Sequence, residues 1–148
     1  MDIKLIKQLR EETGVSIADI KRALEESKND TKKAKELLRQ WGLQKAAKKG
    51  DRVTEQGIVS AYIHGNGSVG ALVSLACETD FVARTDDFKN LAKEIAMQVA
   101  AMSPKNVDEL MKQAYIRDPK VTIEDLVKEQ IAKLGENIQV KDFSRQAV

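Results

Sequence analysis

The residues best suited to nucleophilic chemistry are the single cysteine and the single histidine, Cys77 and His64. A nucleophile needs a positioned base, and that base is usually oriented by a third group. Cys77 and His64 could be neighbours across a predicted hairpin, but no orienting group accompanies them. Strand alternation also places Cys77 on the packed face, where a small thiol is commonly part of the core. We therefore expect no catalytic residue and a protein that is not an enzyme.

Metal and cofactor chemistry is not indicated either. The lone Cys and lone His have no spacing typical of a zinc site, and neither glycine-rich phosphate-binding pattern is present. Gly65 and Gly67 belong to a predicted hairpin turn rather than to the start of a helix. The sequence therefore predicts neither a metal nor a cofactor.

A second candidate is the segment Thr79-Asp80-Phe81-Val82, between a predicted strand and a predicted helix. A rigid scaffold at such a connection can hold side chains outward. The aromatic ring of Phe81 would supply contact area, while the Asp80 carboxylate would fix the register against a partner. Alternatively, Phe81 packs under the helix as core and Asp80 only caps it. On residue types alone, the core position is favoured.

Residues 1–43 are predicted to form three short helices. Apolar residues recur at helical spacing, Thr13-Gly14 ends the first helix, and Ser16 caps the second. Asn29-Asp30-Thr31 separates the second helix from the third, which Gly42 is expected to end as a C′ glycine. This resembles a ubiquitin-associated-type bundle in size. Residues 44–56 are predicted to be a basic linker, helical at most in its first half.

Residues 57–148 are predicted to form an α+β core. Strands at 57–64 and 69–77 flank the turn Gly65–Ser68, with Val59, Ala61 and Ile63 on one face. A long helix capped by Thr85 or Asp86, a shorter helix after Asn106 and a third between Thr122 and Gly135 follow, with Asp118-Pro119 as a turn. A strand at 137–143 returns to the hairpin. We expect a small three-stranded antiparallel sheet with helices packed on one face.

Composition describes an ordinary soluble protein, with 42% hydrophobic and 32% charged residues. We expect no membrane partner, because no apolar run approaches the roughly 20 residues that span a bilayer. With no visible signal peptide and one cysteine, a cytoplasmic location is expected. Residues 1–52 contain 14 Lys or Arg and 9 Asp or Glu, and the remainder contains 11 and 14. This basic first third of the chain could attract nucleic acid or an acidic protein, and charge alone does not decide between them.

Two long motifs carry a family resemblance. The stretches Leu9–Leu24 and Ser74–Arg84 resemble the signatures of the elongation factor Ts family, the nucleotide-exchange factors of the translational GTPase elongation factor Tu. Further similarity covers residues 45–49, 62–65 and 131–138. The resemblance runs along the whole chain in the right order and implies an exchange factor for translation elongation that promotes release of GDP from elongation factor Tu.

The resemblance also implies which residues contact the GTPase. Asp80 and Phe81, flanked by Thr79 and Val82, would enter the GTPase domain and disturb the helices that support its magnesium ion. His64 would touch the GTPase from the sheet region. The bundle would contribute the positions of Arg10, Ile17, Ala18 and Lys21. This chain departs from the family pattern at Ile17 and Ala18, where Met is usual, and at Ser74 and Ala76, where Glu and Asn are usual.

The resemblance further implies a homodimer, because family members with one core half pair to rebuild a doubled sheet. His64 of one protomer and Phe81 of the other would then face one GTPase. Two alternatives stay open: a helical adaptor for ubiquitin-like or nascent-chain partners, and an RNA-binding module built on Lys45, Lys48, Lys49 and Arg52. The aromatic residues form no base-stacking platform, so no specific nucleic acid is expected.

Overall fold

A computed structural model describes residues 2–148 and begins with three helices. These are α1 (Ile3–Thr13), α2 (Ile17–Glu26) and α3 (Thr31–Ala47). Each helix begins at a polar cap whose side chain accepts a backbone N–H, as predicted for Ser16 and for the turn at Asp30. A small apolar core unites them: Ile6, Leu9, Ile20, Ala23, Leu24, Ala34 and Leu38.

Helix α3 does not end at Gly42, so the prediction of a C′ glycine there is wrong. The helix continues to Ala47 and includes the first four residues of the predicted linker. Ala46 is buried in the core of the rest of the chain, and this burial favours continuation of the helix. A Cβ at Gly42 would lie 3.1 Å from the Cβ of Ala132, so glycine permits a close helix contact here. The boundaries at 1–43, 44–56 and 57–148 remain predictions.

The remaining chain contains helices interleaved with strands. In chain order these are β1 (Gln56–His64), β2 (Val69–Cys77), α4 (Asp80–Ala83), α5 (Asp86–Met102), α6 (Val107–Lys112), β3 (Ala114–Tyr115), β4 (Asp118–Thr122), α7 (Ile123–Leu134) and β5 (Ile138–Ala147). Strands β1, β2 and β5 form an antiparallel sheet in the order β1-β2-β5. This confirms the predicted α+β class and the return of the last strand, which is longer than expected.

One face of the sheet is covered mainly by α5. Inward residues of β2, including Val73 and Leu75, pack against the apolar side of α5, where Phe88 and Ile95 are fully buried. The opposite face, called the outer face below, carries Val59, Ala61, Ile63 and Leu72, all of which are exposed. Alternation predicted that Val59, Ala61 and Ile63 share a face, and the structure shows that this face is uncovered in the single chain.

A second, two-stranded sheet was not predicted. Asp118 begins β4 rather than a turn, so the prediction of a turn at Asp118-Pro119 is wrong. The buried side chain of Gln98 organises this region: its Nε2 donates to the carbonyl of Ala114 at 3.0 Å, and its Oε1 accepts the N–H of Ile116 at 3.0 Å. A tertiary contact from α5 thus fixes the short β3–β4 hairpin, which local pattern does not reveal.

Candidate partner-binding site

The predicted segment Thr79–Val82 forms the start of the one-turn helix α4. Thr79 is its N-cap, and the Thr79 Oγ1 accepts the N–H of Val82 at 3.4 Å. Asp80 lies in the first turn, where a carboxylate is favoured by the helix dipole. Its Oδ2 is 3.0 Å from Nη2 of Arg84. The segment is therefore an ordered turn with its acidic group exposed, rather than an irregular loop.

Phe81 projects into solvent, with 79% of its surface exposed. Residue types favoured a core position, and that expectation is wrong. Helix α4 contacts the core through Ala83, which is buried, and Val82, which is partly buried. Phe81 does not share that side, and the aromatic that fills the core beneath α5 is Phe88. An exposed phenylalanine on an anchored turn is typical of a residue that inserts into a partner.

Cys77 lies at the base of the same turn. Its Sγ is 3.1 Å from the carbonyl oxygen of Thr79, to which it donates. Burial raises the pKa of the Cys77 thiol, and the nearby Glu136 carboxylate raises it further. Cys77 is therefore a protonated core thiol, as predicted from its place on the packed face of the strand.

Cys77 and His64 lie at opposite ends of the hairpin, so the idea that they could be neighbours is wrong. Cys77 pairs with Gln56 at one end of β1, whereas His64 pairs with Val69 at the other. Eight residues of strand at about 3.3 Å each separate these ends by roughly 26 Å. A hydrogen-bonded nucleophile and base pair is excluded by this register.

His64 is exposed beside the hairpin turn. Its Nδ1 lies 3.0 Å from the hydroxyl of Tyr62, which orients the ring. Because Phe81 follows the far end of β2, the predicted contact residues His64 and Phe81 of one chain are also separated by the length of the sheet. They do not form one continuous surface within a single chain.

The predicted bundle residues gather at the α1–α2 corner. Arg10 donates through Nη1 to the carbonyls of Gly14, at 2.9 Å, and Val15, at 2.6 Å, and this fixes the turn between the helices. Ile17, Ala18 and Lys21 are exposed at the start of α2. Ile17 is 52% exposed, so its apolar side chain is available to a partner. The structure thus brings the four bundle residues together, apart from α4.

The basic residues of the predicted linker are partly neutralised. Lys45 Nζ lies 2.7 Å from Asp19 Oδ2, and Arg52 Nη1 lies 3.6 Å from Glu78 Oε2. Two of the four cations considered for RNA binding therefore face carboxylates of the same chain. This arrangement weakens the charge argument for an RNA site.

Neither a metal-binding cluster nor a membrane-spanning helix is found in the part of the chain that the structure describes. No group of three or more His, Cys, Asp or Glu side chains within residues 2–148 is arranged to hold a metal ion. In the same part of the chain, every helix is too short or too polar to cross a membrane.

Comparison with known proteins identifies close relatives. A family model described as Elongation factor TS matches residues 78–148, which include α4. Elongation factor Ts of Carboxydothermus hydrogenoformans is 41% identical over 96% of this chain and 86% of the relative. That of a Thermoanaerobacter species is also 41% identical, over 95% and 91%, and that of Coprothermobacter proteolyticus is 42% identical, over 95% and 94%. These alignments extend over 185 to 187 positions, so the relatives contain residues with no counterpart in the 148 residues here.

Proposed function

The chain belongs to the elongation factor Ts family of translation factors, and from this premise we propose that it is a guanine-nucleotide exchange factor for elongation factor Tu. It binds the GDP form of that GTPase and promotes GDP release. The observation that carries the proposal is Phe81, which is 79% exposed on a capped helical turn beside the exposed Asp80. The match to the family model begins at residue 78, two residues before this turn, and continues to residue 148.

The proposed mechanism is thermodynamic linkage. A protein that binds the nucleotide-free GTPase more tightly than the nucleotide-bound form weakens nucleotide affinity by the same factor. Magnesium is the largest local charge holding the phosphates, so disturbing its supports with Phe81 and Asp80 is an efficient way to release GDP. The chain makes and breaks no covalent bond in this scheme and acts by binding alone, in the cytoplasm.

The N-terminal bundle supplies the second contact in this proposal. We propose that it has the ubiquitin-associated fold and docks through Arg10, Ile17, Ala18 and Lys21. It is held against α7 by Arg39, whose Nε lies 2.9 Å from Glu129 Oε1, and by the close approach of Gly42 to Ala132. These contacts support simultaneous docking of the bundle and α4 on one partner. Both are already ordered in the free chain, so binding does not have to order them.

The outer face of the sheet supports the homodimer. Val59 is 66% exposed, Ile63 64% and Leu72 49%, and they form one apolar surface with Ala61. Such a surface favours burial against another protein. We propose that a second copy covers it, so that His64 of one protomer and Phe81 of its partner face the same GTPase. The separation of these residues along one chain is consistent with this arrangement.

The direct test is the rate of fluorescent GDP release from elongation factor Tu, with the wild-type chain, Phe81→Ala or Ile116→Ala. Ile116 is a matched control because it is an exposed apolar residue of the distant β3–β4 hairpin. We expect Phe81→Ala to lower the stimulated rate constant about 30-fold, as for a contact that contributes about 2 kcal/mol. Ile116→Ala should leave it unchanged. An unchanged rate with Phe81→Ala would remove this turn from the mechanism.

A further inference from the structure

The turn between α7 and β5 contains a motif that the proposed contacts do not use. Gly135 ends α7 with a φ of +79°, a backbone conformation that glycine adopts without strain. Glu136 and Asn137 follow, before β5 begins at Ile138. This turn lies directly beside Glu78 and Thr79, the two residues that precede α4.

The Glu136 carboxylate accepts three hydrogen bonds from these two residues. Its Oε1 accepts the backbone N–H of Glu78 at 3.1 Å and that of Thr79 at 2.9 Å, while its Oε2 accepts the Thr79 hydroxyl at 2.6 Å. Hydrogen bonds to an ionised acceptor are stronger than those between neutral groups. One side chain, distant in sequence, therefore fixes both the backbone and the side chain of the cap of α4.

The contact is reciprocal. The Glu78 carboxylate accepts the backbone N–H of Asn137 at 2.8 Å and faces Arg52 at 3.6 Å. Asn137 is only 2% exposed, and its Nδ2 donates to the carbonyl of Arg52 at 2.8 Å. We call Glu78, Thr79, Glu136 and Asn137 the carboxylate clasp. It joins the segment before α4 to the α7–β5 turn and to the approach to β1.

We propose that Glu136 is the positioning residue that holds Phe81 ready for the partner. A helix of four residues does not form by itself, because its nucleation is unfavourable. Helix α4 therefore depends on its cap, and the orientation of the Thr79 cap is set by Glu136. The inference rests on the exchange function proposed above and assigns Glu136 no contact with the GTPase.

The physical consequence is pre-organisation. Without the Glu136 carboxylate, the N–H groups of Glu78 and Thr79 lose a charged acceptor, and the Thr79 hydroxyl is free to rotate away from α4. The segment that carries Phe81 then samples several conformations in the free protein. Binding has to order it, and the cost of that ordering is subtracted from the affinity.

The test is a double-mutant cycle on stimulated GDP release. The rate constant is measured for wild type, Glu136→Ala, Phe81→Ala and the double variant, with Glu136→Gln and Glu109→Ala alongside. Glu136→Gln keeps an oxygen for the two N–H groups, and Glu109 is an exposed carboxylate on α6, away from the clasp. A residue that positions α4 loses most of its effect once Phe81 is absent, because only Asp80 of that turn remains to be positioned. A general loss of folding lowers the rate in both backgrounds.

We expect Glu136→Ala to lower the rate constant about tenfold in the wild-type background and less than about twofold in the Phe81→Ala background. Glu136→Gln should recover most of the loss, and Glu109→Ala should match wild type. Equal losses from Glu136→Ala in the two backgrounds would overturn the proposal, and so would no loss at all.

A second measurement separates this inference from the exchange function. Amide hydrogen exchange of residues 78–84 is measured in the free proteins, where elongation factor Tu has no part. Glu136→Ala should accelerate exchange in this segment and leave α5 protected. If wild type fails to accelerate GDP release, the exchange function is wrong. If amide exchange in Glu136→Ala equals that of wild type, the clasp does not hold α4 and the present inference is wrong.

Discussion

Phe81 and Phe88 are seven residues apart and occupy opposite environments. Phe81 is 79% exposed, whereas Phe88 is fully buried. Each lies in the first turn of a helix capped by a threonine, Thr79 for α4 and Thr85 for α5. Phe81 is the second helical residue and Phe88 the third. A difference of one position turns a side chain by about 100° around a helix axis, so position relative to the cap matters as much as residue type.

The two phenylalanine side chains have different roles. Phe88 packs between α5 and the sheet, so its hydrophobic surface contributes to folding. Phe81 contributes little to the folded chain, and its ring remains available for a partner. With 79% of its surface in water, the Phe81 ring is available for the partner contact proposed above. The two residues should therefore respond oppositely to the same substitution.

The largest expected effect is on folding. Phe88→Ala should lower the free energy of unfolding by about 3–5 kcal/mol, because it removes a fully buried ring and leaves a cavity. Phe81→Ala should change it by less than about 0.5 kcal/mol, as is usual for exposed positions. Urea unfolding monitored by circular dichroism measures both. Similar losses of stability in the two variants would show that Phe81 packs against the core in solution.

Some features of the fold are encoded by local sequence, and the exposure of Phe81 is not. A cap at Thr85 or Asp86, the glycine-rich hairpin turn and the closing Gly135 were predicted, because each acts on its own backbone. The structure shows that the cap is Thr85. The exposure of Phe81 was not predicted from residue types, because it follows from which side of α4 packs on the core, through Ala83 and Val82. Only the family resemblance indicated a role for Phe81 outside the core.

The end of α3 and the β3–β4 hairpin depend on contacts between residues distant in sequence. Gly42 was expected to end α3, but the contact with Ala132 of α7 lies far along the chain and gives glycine a packing role instead. The β3–β4 hairpin depends on Gln98 of α5. For the site, residue types identified the segment containing Phe81, and geometry then revealed the clasp beneath it. Long-range contacts explain the differences at Gly42 and at the β3–β4 hairpin.

An intermediate effect is expected on self-association through the outer face of β2. Leu72 lies on the outer face and is 49% exposed. Like Phe81, it is an apolar side chain that the single chain leaves in contact with water. Leu72→Lys should leave the chain folded and weaken self-association at least about 30-fold, because a charge would be buried between two copies. Light scattering across a concentration series measures this, with Ile116→Lys as the exposed control. A wild-type monomer at every concentration, with full exchange activity, would exclude the homodimer.

The smallest expected effect on stability concerns a partly exposed ion pair between two helices of the bundle. Lys45 of α3 lies 2.7 Å from Asp19 of α2, and its hydrogen bond lowers the pKa of the Asp19 carboxyl. The pKa of Asp19 is therefore lower in the folded chain than in the unfolded chain, where it is about 3.9. The ion pair stabilises the fold above the unfolded pKa, and this stabilisation is lost as the pH falls through the folded pKa. Because Lys45 is half exposed, Lys45→Ala should cost only about 0.5 kcal/mol at pH 7.

That difference between wild type and Lys45→Ala should shrink as the pH is lowered below about 4, since a protonated Asp19 no longer attracts the lysine. Urea unfolding at pH 7 and near pH 3 measures it, and the exposed Lys48→Ala serves as the control. A pH-independent difference would mean that Lys45 acts through the packing of its methylene groups on α2 rather than through its charge. Lys45 would then stabilise the fold by burying apolar surface, as Phe88 does to a larger extent, and not by an electrostatic contact between two helices.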